Sequence, residues 1–192
     1  MRLLHNVYYH LARFYLVFKR HDAAAESYRM ALAANPEFAL AASSLGFLHA
    51  SREHYAEAGA AFRQALDINP GNAEIWFNLG FVQQELGQFD EALVSFQRAI
   101  DLSPSLDRAW FGMGMIYRGK NEHEKAITML KKAAELQPMN PHALYELAKA
   151  QYALNNLDQV RKIIKRVSEF DPKVTQQLIR ETGQVPEGVA RR

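Results

Sequence analysis

Histidine is the residue in this chain best suited to metal binding or acid–base catalysis, and the chain has seven of them. They are His5, His10, His21, His49, His54, His123 and His142. No two histidines stand at positions i and i+4, the spacing that places two zinc ligands on one face of a helix. His5 and His10 point to different sides of a helix. Each histidine is therefore interpreted as structural or solvated, and we expect no metal site.

Two short motifs resemble parts of catalytic or cofactor sites, but their surroundings do not fit. Gly112-Met113-Gly114 lies inside a predicted helix with no strand before it, so it does not predict a dinucleotide site. Ser43-Ser44-Leu45-Gly46 lacks the flanking pattern of a nucleophile elbow. The chain has no cysteine, which excludes a thiolate nucleophile, a thiolate metal site and a disulfide. Without an acid, base and nucleophile set, we expect neither enzyme activity nor a cofactor.

The charge balance also limits the classes of partner. Lysine and arginine number 23 against 21 acidic residues, for a net charge of +2. This balance gives no broad electrostatic surface for nucleic acid or an anionic membrane. Polar residues interrupt the apolar segment 1–18, so it predicts neither a signal peptide nor a membrane span. We expect a cytoplasmic protein, although an N-terminal export segment could have been removed.

The elements that would position any binding site follow a 34-residue period. The period is marked by prolines at Pro36, Pro70, Pro104, Pro138 and Pro172. Residues 73–106 predict two short amphipathic helices separated by a turn at Leu86-Gly87-Gln88. The eighth and twentieth positions of the repeats hold small residues, with Val160 as the exception, and the twenty-fourth holds a bulky apolar one. Small residues allow the two helices of a hairpin to cross closely, so the period predicts stacked helical hairpins.

Trp76-x2-Leu79-Gly80, then Ala92-x3-Phe96, then Pro104, resembles the tetratricopeptide repeat (TPR), with Gln83 in place of the usual Tyr. The resemblance implies an all-α, right-handed α-solenoid of five helix-turn-helix hairpins and a short C-terminal capping helix at about 173–181. The five repeats are 5–38, 39–72, 73–106, 107–140 and 141–174. The array would occupy 1–181, and residues 182–192, with Gly183, Pro186 and Gly188, predict a disordered tail.

In TPR proteins the first helix of each hairpin lines a concave groove, so the resemblance implies a peptide-binding surface. Its residues here are Tyr9, Phe47, Phe77, Asn78, Phe81, Phe111, Met115, Arg118, Tyr145 and Lys149. Arg108, Arg118 and Lys149 would favour a partner with acidic flanks, although Glu74, Glu85 and Glu146 offset much of that charge. Only Asn78 matches the positions with which some TPR domains grip a C-terminal carboxylate, so that clamp is not expected.

The function implied is a non-enzymatic scaffold or adaptor that binds an apolar or amphipathic peptide segment of a partner protein. One alternative is that the aromatic rings only pack against neighbouring helices. Another is a self-assembling structural scaffold that uses its terminal repeats and has no dedicated peptide ligand.

The first helix of repeat one is unusually apolar for a terminal helix. Its outward side would carry Tyr8, Phe14, Val17 and Phe18, with no preceding repeat in this sequence to cover it. A second copy, a partner or an upstream segment would bury this face, and we expect self-association through repeat one. The alternative is a helix that folds its rings back onto repeat two.

Overall fold

The computed structural model describes residues 3–189, which form eleven α-helices and contain no strand. The helices divide into two compact units, one ending at Ser103 and the other beginning at Pro104. Unit one contains α1 (Leu4–Val17), α2 (His21–Ala34), α3 (Ala39–Ala50), α4 (Tyr55–Ile68), α5 (Ala73–Glu85) and α6 (Phe89–Leu102). Unit two contains α7 (Asp107–Gly119), α8 (His123–Leu136), α9 (Pro141–Ala153), α10 (Leu157–Ser168) and α11 (Pro172–Thr182). The all-α repeat fold predicted from the sequence is confirmed.

Unit one is a stack of three hairpins, each made of two consecutive helices. The pairs α1–α2, α3–α4 and α5–α6 pack most extensively, and α2–α3 and α4–α5 contacts join each hairpin to the next. One apolar cluster, which includes Tyr28, Phe62 and Leu79, runs through the stack. Burial of this shared cluster is the main source of stability, because a single hairpin cannot cover its own apolar face.

Unit two holds the other two hairpins, α7–α8 and α9–α10, followed by α11. Helix α11 packs on α10 and α9, and its Leu178 and Ile179 are buried in the apolar cluster of this unit. The capping helix expected at about 173–181 is therefore present as Pro172–Thr182. Asp171 caps its N-terminus by accepting a hydrogen bond from the backbone N–H of Val174.

Glycine at the eighth repeat position has the role expected from the sequence. A Cβ added to Gly46 would lie 2.7 Å from the ring of Phe62, and one added to Gly80 would lie 2.7 Å from Phe96. These distances are too short for a real side chain, so the missing Cβ lets the ring of one helix lie against the backbone of the other. This close approach sets the crossing of the two helices in a hairpin.

The turn between the two helices of each hairpin also repeats every 34 residues. Its central residue has a positive φ in all five hairpins: Lys19 (55°), Glu53 (61°), Gly87 (73°), Asn121 (60°) and Asn155 (59°). Glycine and asparagine tolerate this left-handed conformation, but lysine and glutamate are strained in it. The repeat fold therefore determines the backbone conformation of this turn. Only Gly87, Asn121 and Asn155 are residue types that favour that conformation.

In two places a tryptophan side chain is hydrogen-bonded to the turn that connects one hairpin to the next. The indole N–H of Trp76 donates to the carbonyl of Pro70 at 2.8 Å, and that of Trp110 donates to the carbonyl of Pro104 at 3.0 Å. Each bond joins the fourth residue of a repeat to the proline that closes the previous one. The bond satisfies a carbonyl near the end of the previous helix and fixes the chain's entry into the next hairpin.

Residues 183–189 follow α11 without forming a helix or strand. Val185 and Val189 pack against the apolar cluster of unit two, and Arg161 donates to the side-chain oxygen of Gln184 at 2.6 Å. Residues 190–192 lie outside the described part of the chain. The disorder expected for 182–192 stays a prediction.

Candidate peptide-binding surfaces

The first candidate surface belongs to unit one and consists of Tyr9, Phe47, Phe77, Asn78 and Phe81, here called the aromatic surface. All five stand on the first helix of a hairpin, at the fifth, sixth or ninth repeat position. Phe47 is 47% exposed and Phe81 is 38% exposed, whereas Tyr9, Phe77 and Asn78 are half-buried. Exposed phenylalanine side chains that form a contiguous apolar patch are typical of a binding surface, which makes Phe47 and Phe81 candidates for one.

Each ring of the aromatic surface rests on another ring. Phe47 packs edge-on against Phe62 with centroids 5.3 Å apart, and Phe77 lies 5.8 Å from Phe96. Phe81 meets Tyr55 edge-on at 6.2 Å. Because Phe62 and Phe96 are fully buried, Phe47 and Phe77 have a rigid support.

Tyr9 is the most enclosed ring of this surface. It packs 5.7 Å from Tyr28 and 5.3 Å from Phe38, so most of its faces already have partners. Asn78 is also occupied, since its side-chain amide donates to the backbone carbonyl of Glu74 at 2.5 Å. Phe47 and Phe81 therefore offer the most free apolar area on the aromatic surface.

The second candidate surface belongs to unit two and consists of Phe111, Met115, Arg118, Tyr145 and Lys149, here called the mixed surface. All five residues are half-buried, and Phe111 and Tyr145 pack against the apolar cluster of the unit. The polar members of this surface already have partners within the chain. It therefore differs in chemistry from the aromatic surface.

Glu181 of α11 is the partner of two residues of the mixed surface. Its carboxylate oxygen Oε2 accepts from Lys149 Nζ at 2.7 Å and from the Tyr145 hydroxyl at 2.8 Å. Gln177, also on α11, donates to the other carboxylate oxygen at 3.0 Å and to the Tyr145 hydroxyl at 3.2 Å. The carboxylate of Glu181 thus occupies the place where an acidic group of a partner would bind.

These hydrogen bonds shift the ionisation of the groups involved. The pKa of Glu181 falls from 4.5 to about 2, chiefly because Lys149, Gln177 and Tyr145 donate to its charged form. The same bond raises the pKa of Lys149, and burial followed by the bond to Glu181 raises the pKa of Tyr145. Glu181 and Lys149 therefore both stay charged at neutral pH.

Arg118 is neutralised by a different carboxylate. Its Nε lies 2.9 Å from Glu146 Oε2 on α9, although the two groups are not aligned for a hydrogen bond. Burial raises the pKa of Glu146, and the nearby Arg118 opposes that rise. The contact ties α7 to α9, and it leaves Arg118 with less charge to offer an acidic peptide.

Outside the predicted surfaces, unit one contains a cavity of about 390 Å³ between α4, α5 and α6. Its floor includes Trp76, Leu79 and Gln83, and Gln83 accepts a hydrogen bond from the Ser95 hydroxyl at 2.6 Å. Trp76, Leu79 and Gln83 lie on a different face of α5 from Phe77 and Phe81. The sequence contained one signal for this cavity, since Gln83 replaces the tyrosine usual at its position.

The apolar end of repeat one is more extensive than the sequence analysis predicted. Phe14, Val17 and Phe18 are 57%, 76% and 60% exposed, as expected for an outward face. Tyr8 instead is half-buried against the core of unit one. The exposed apolar residues that the sequence analysis missed on this helix and its flank are Leu3, Leu4, Val7 and Leu11. The three- or four-residue spacing of Leu4, Val7 and Leu11 could have predicted that they share one face of this helix.

Metal-binding clusters and membrane-spanning helices are both absent from the part of the chain that the structure describes. In residues 3–189, histidine and acidic side chains form no cluster of three or more that could hold a metal ion. The same residues include no helix of the length and apolarity needed to cross a bilayer.

Helical hairpins that recur every 34 residues define a helical repeat protein. Family models described as tetratricopeptide repeat match residues 5–37, 49–110 and 117–178, which is more than half of the chain. The chain belongs to the tetratricopeptide repeat family. Proteins of this family mediate protein–protein interactions.

Solved structures of similar fold agree with this assignment. A crystal structure of the MamA protein is 20% identical, with a TM-score of 0.84, and the match covers 99% of this chain and 98% of that chain. YrrB, described as a TPR protein with an unusual peptide-binding site, is 22% identical with a TM-score of 0.78, covering 93% and 91%. The pilF protein of Pseudomonas aeruginosa is 20% identical with a TM-score of 0.75, covering 94% and 85%. At these identities the likeness concerns the fold. No curated protein matches the chain by sequence.

Proposed function

We propose that this protein is a non-enzymatic scaffold that holds an apolar or amphipathic segment of a partner protein on the aromatic surface of unit one. The observation that supports this most directly is the exposure of Phe47 and Phe81, 47% and 38%, at the same repeat position of α3 and α5. Leu45, Leu48, Leu79 and Val82 on the same two helices are buried. The rings of Phe47 and Phe81 therefore leave apolar surface in contact with water that a partner would cover.

The support beneath these rings fits a role as anchors. Phe47 is held edge-on against the buried Phe62, and Phe81 is held edge-on against the half-buried Tyr55, so each loses little conformational freedom when a partner covers it. Aromatic anchors of this kind commonly supply a large share of binding energy at interfaces. The description of YrrB also shows that a protein of similar fold has a peptide-binding site.

The mixed surface of unit two would have a secondary role. Lys149 and Tyr145 are bound to Glu181, and Arg118 is paired with Glu146. An acidic peptide would have to displace these carboxylates, so its flanks would gain little net energy there. Phe111 and Met115 remain as the apolar contacts that this surface can offer.

The test has two stages. Affinity capture with mass spectrometry identifies a partner, and a fluorescently labelled segment of that partner is then titrated with purified protein. We expect Phe47→Ala and Phe81→Ala each to raise Kd by about 30-fold, the effect of losing an anchor worth about 2 kcal/mol. Phe111→Ala reports whether the mixed surface takes part.

The matched control is Val94→Ala, since Val94 is 60% exposed on α6 of the same unit but is not part of the aromatic surface. Its Kd should equal that of the unmodified protein. Circular dichroism at 222 nm must show unchanged helix content for each variant. Unchanged Kd in both Phe47→Ala and Phe81→Ala would exclude the aromatic surface as the binding site.

A further inference from the structure

Helix α1 carries an exposed apolar stripe that runs its full length: Leu4, Val7, Leu11, Phe14 and Phe18, here called the α1 stripe. Successive members are three or four residues apart, which places them on one side of the helix. They are between 36% and 60% exposed. An alternating three–four spacing of apolar residues is the pattern with which one helix packs along another.

The residues at equivalent positions of the other repeats indicate what kind of surface this stripe would contact. Val7, Leu11 and Phe14 occupy the third, seventh and tenth positions of repeat one. The same positions in repeats two, three and five hold Ala41, Leu45 and Leu48, then Ile75, Leu79 and Val82, then Ala143, Leu147 and Ala150. All nine of these residues are buried. In repeats two and three a preceding hairpin packs on the first helix, through the α2–α3 and α4–α5 contacts. The α1 stripe thus stands at hairpin-stacking positions of the repeat and is exposed in the described part of the chain.

The helix at the other end of the array offers no matching apolar surface. Helix α11 turns Leu178 and Ile179 into the core of unit two, and Lys173 and Arg180 are exposed on it. A copy stacked head to tail would therefore place a polar helix on the α1 stripe. Among the described helices of a second copy, α1 itself has the most exposed large apolar side chains: Leu4, Val7, Leu11, Phe14 and Val17.

We propose that two copies of this protein pair through their α1 stripes in an antiparallel, two-fold symmetric contact. The stripe is symmetric about Leu11, so Leu11 meets Leu11 of the second copy. In the same contact, Leu4 of each copy faces Phe18 of the other. Such a contact is isologous and closes on itself, which gives a dimer.

The helix dipoles favour the antiparallel orientation of the two helices. In an antiparallel pair, each helix N-terminus lies beside the C-terminus of the other copy, so the opposite partial charges of the two ends meet. The basic residues of this segment stand at both of its ends in the sequence, Arg2 at one and Lys19 and Arg20 at the other, so side-chain charge does not distinguish the two orientations.

The size of the stripe fits a stable contact. With the flanking Leu3 and Val17, seven large apolar side chains are exposed on this face. Together they present several hundred Å², which approaches the roughly 800 Å² that each partner contributes to a standard interface.

Sedimentation equilibrium of the full chain over a concentration series tests the dimer. We expect a monomer–dimer equilibrium, and Phe14→Glu should weaken it by about 100-fold, because the contact would bury an unpaired charge in each copy. Val94→Glu adds the same charge to an exposed apolar position of α6 and should leave the equilibrium unchanged. A strict monomer at all concentrations would overturn the proposal.

Cross-linking tests the orientation, and the absence of native cysteine makes it specific. Leu11→Cys should form a covalent dimer with a short bifunctional maleimide. Phe18→Cys alone should not, but an equal mixture of Phe18→Cys and Leu4→Cys should. Efficient cross-linking of Phe18→Cys alone would show a parallel pair and overturn the two-fold antiparallel contact.

A basic helix with an apolar stripe could instead lie on an anionic bilayer. Flotation with vesicles of phosphatidylserine and phosphatidylcholine separates the two explanations. We expect the unmodified protein to stay in the unbound fraction. A monomer that floats with these vesicles, and loses this binding in Phe14→Glu, would replace the dimer with a membrane contact.

Discussion

At the scale of single residues, the five hairpin turns compare different side chains in one backbone conformation. Glu53 and Gly87 stand at the same repeat position with φ of 61° and 73°. A Cβ added to Gly87 would have no described atom within 4 Å, so packing does not explain the glycine. The residue type at this position therefore changes stability mainly through backbone strain.

Glu53→Gly should stabilise the protein, and Gly87→Ala should destabilise it. Glycine relieves the left-handed strain at residue 53, and alanine introduces it at residue 87, each by about 1 kcal/mol. Urea unfolding followed by circular dichroism measures both. If both variants changed the free energy of unfolding by the same amount and in the same direction, backbone strain would not control the stability of this turn.

His49 gives the fold a dependence on pH. It is 7% exposed, and its Nδ1 has no hydrogen-bond partner among residues 3–189. Burial, followed by the positive charge of Arg29, lowers its pKa below the usual 6.5. The folded state therefore resists protonation at pH values where the unfolded state takes up a proton.

Stability should fall as pH decreases through about 6.5 towards the lower pKa of the folded state, since only the unfolded state binds the proton there. Above that range His49 is neutral in both states and contributes no dependence. His49→Gln should remove this part of the stability loss at low pH. Glutamine is a suitable replacement because Gln83 and Gln151 stand at the same position of other repeats. Thermal unfolding at pH 7.5 and pH 5.5 compares the two proteins. Identical pH dependence would show that His49 titrates normally in the fold.

At the scale of secondary-structure elements, the bonds from tryptophan to proline connect one hairpin to the next. Trp76→Phe keeps most of the apolar contact but removes the donor to the Pro70 carbonyl. We expect a loss of about 1 kcal/mol in the free energy of unfolding. Trp110→Phe, which removes the equivalent bond at Pro104, should cost a similar amount. Urea unfolding by circular dichroism gives both values, and a neutral result in both would leave the bonds without a role in stability.

The elements were also the most predictable part of the molecule. The five prolines predicted the hairpins, and the first helices of the later repeats begin at Ala39, Ala73, Asp107 and Pro141. The capping helix was predictable from Val174, Leu178 and Ile179 because their spacing fits one helix face. The helices of a repeat protein can be predicted in this way because every repeat has the same local sequence pattern.

The contacts of the candidate surfaces were less predictable, since they depend on residues outside the repeat pattern. Glu181 lies in α11, which is not a sixth repeat, so no repeat register predicted that it would lie beside Lys149 and Tyr145. Helix α1 shows the opposite case. Its three–four spacing was readable, but which side α2 covers becomes clear only when the hairpin packs, and that leaves Tyr8 half-buried and Leu11 exposed.

At the scale of the whole molecule, pairing through the α1 stripe couples folding to concentration. If only the folded chain pairs, mass action raises Tm as the protein concentration rises. For a chain of this size we expect about 2 °C for each tenfold increase. Differential scanning calorimetry measures this shift. Phe14→Glu should have a Tm independent of concentration, and a flat Tm in the unmodified protein would count against the dimer.

The order of the helix contacts has a consequence for how the chain reaches its fold. In both units the more extensive contacts join helices that are next, or next but one, along the chain. Such a fold has low contact order, so its folding does not wait for the closure of long loops. Folding can begin at any pair of neighbouring hairpins, including those first made during synthesis. The α1 stripe would then be present on a folded surface while the later repeats are still being translated, early enough for two nascent chains on neighbouring ribosomes to meet through it.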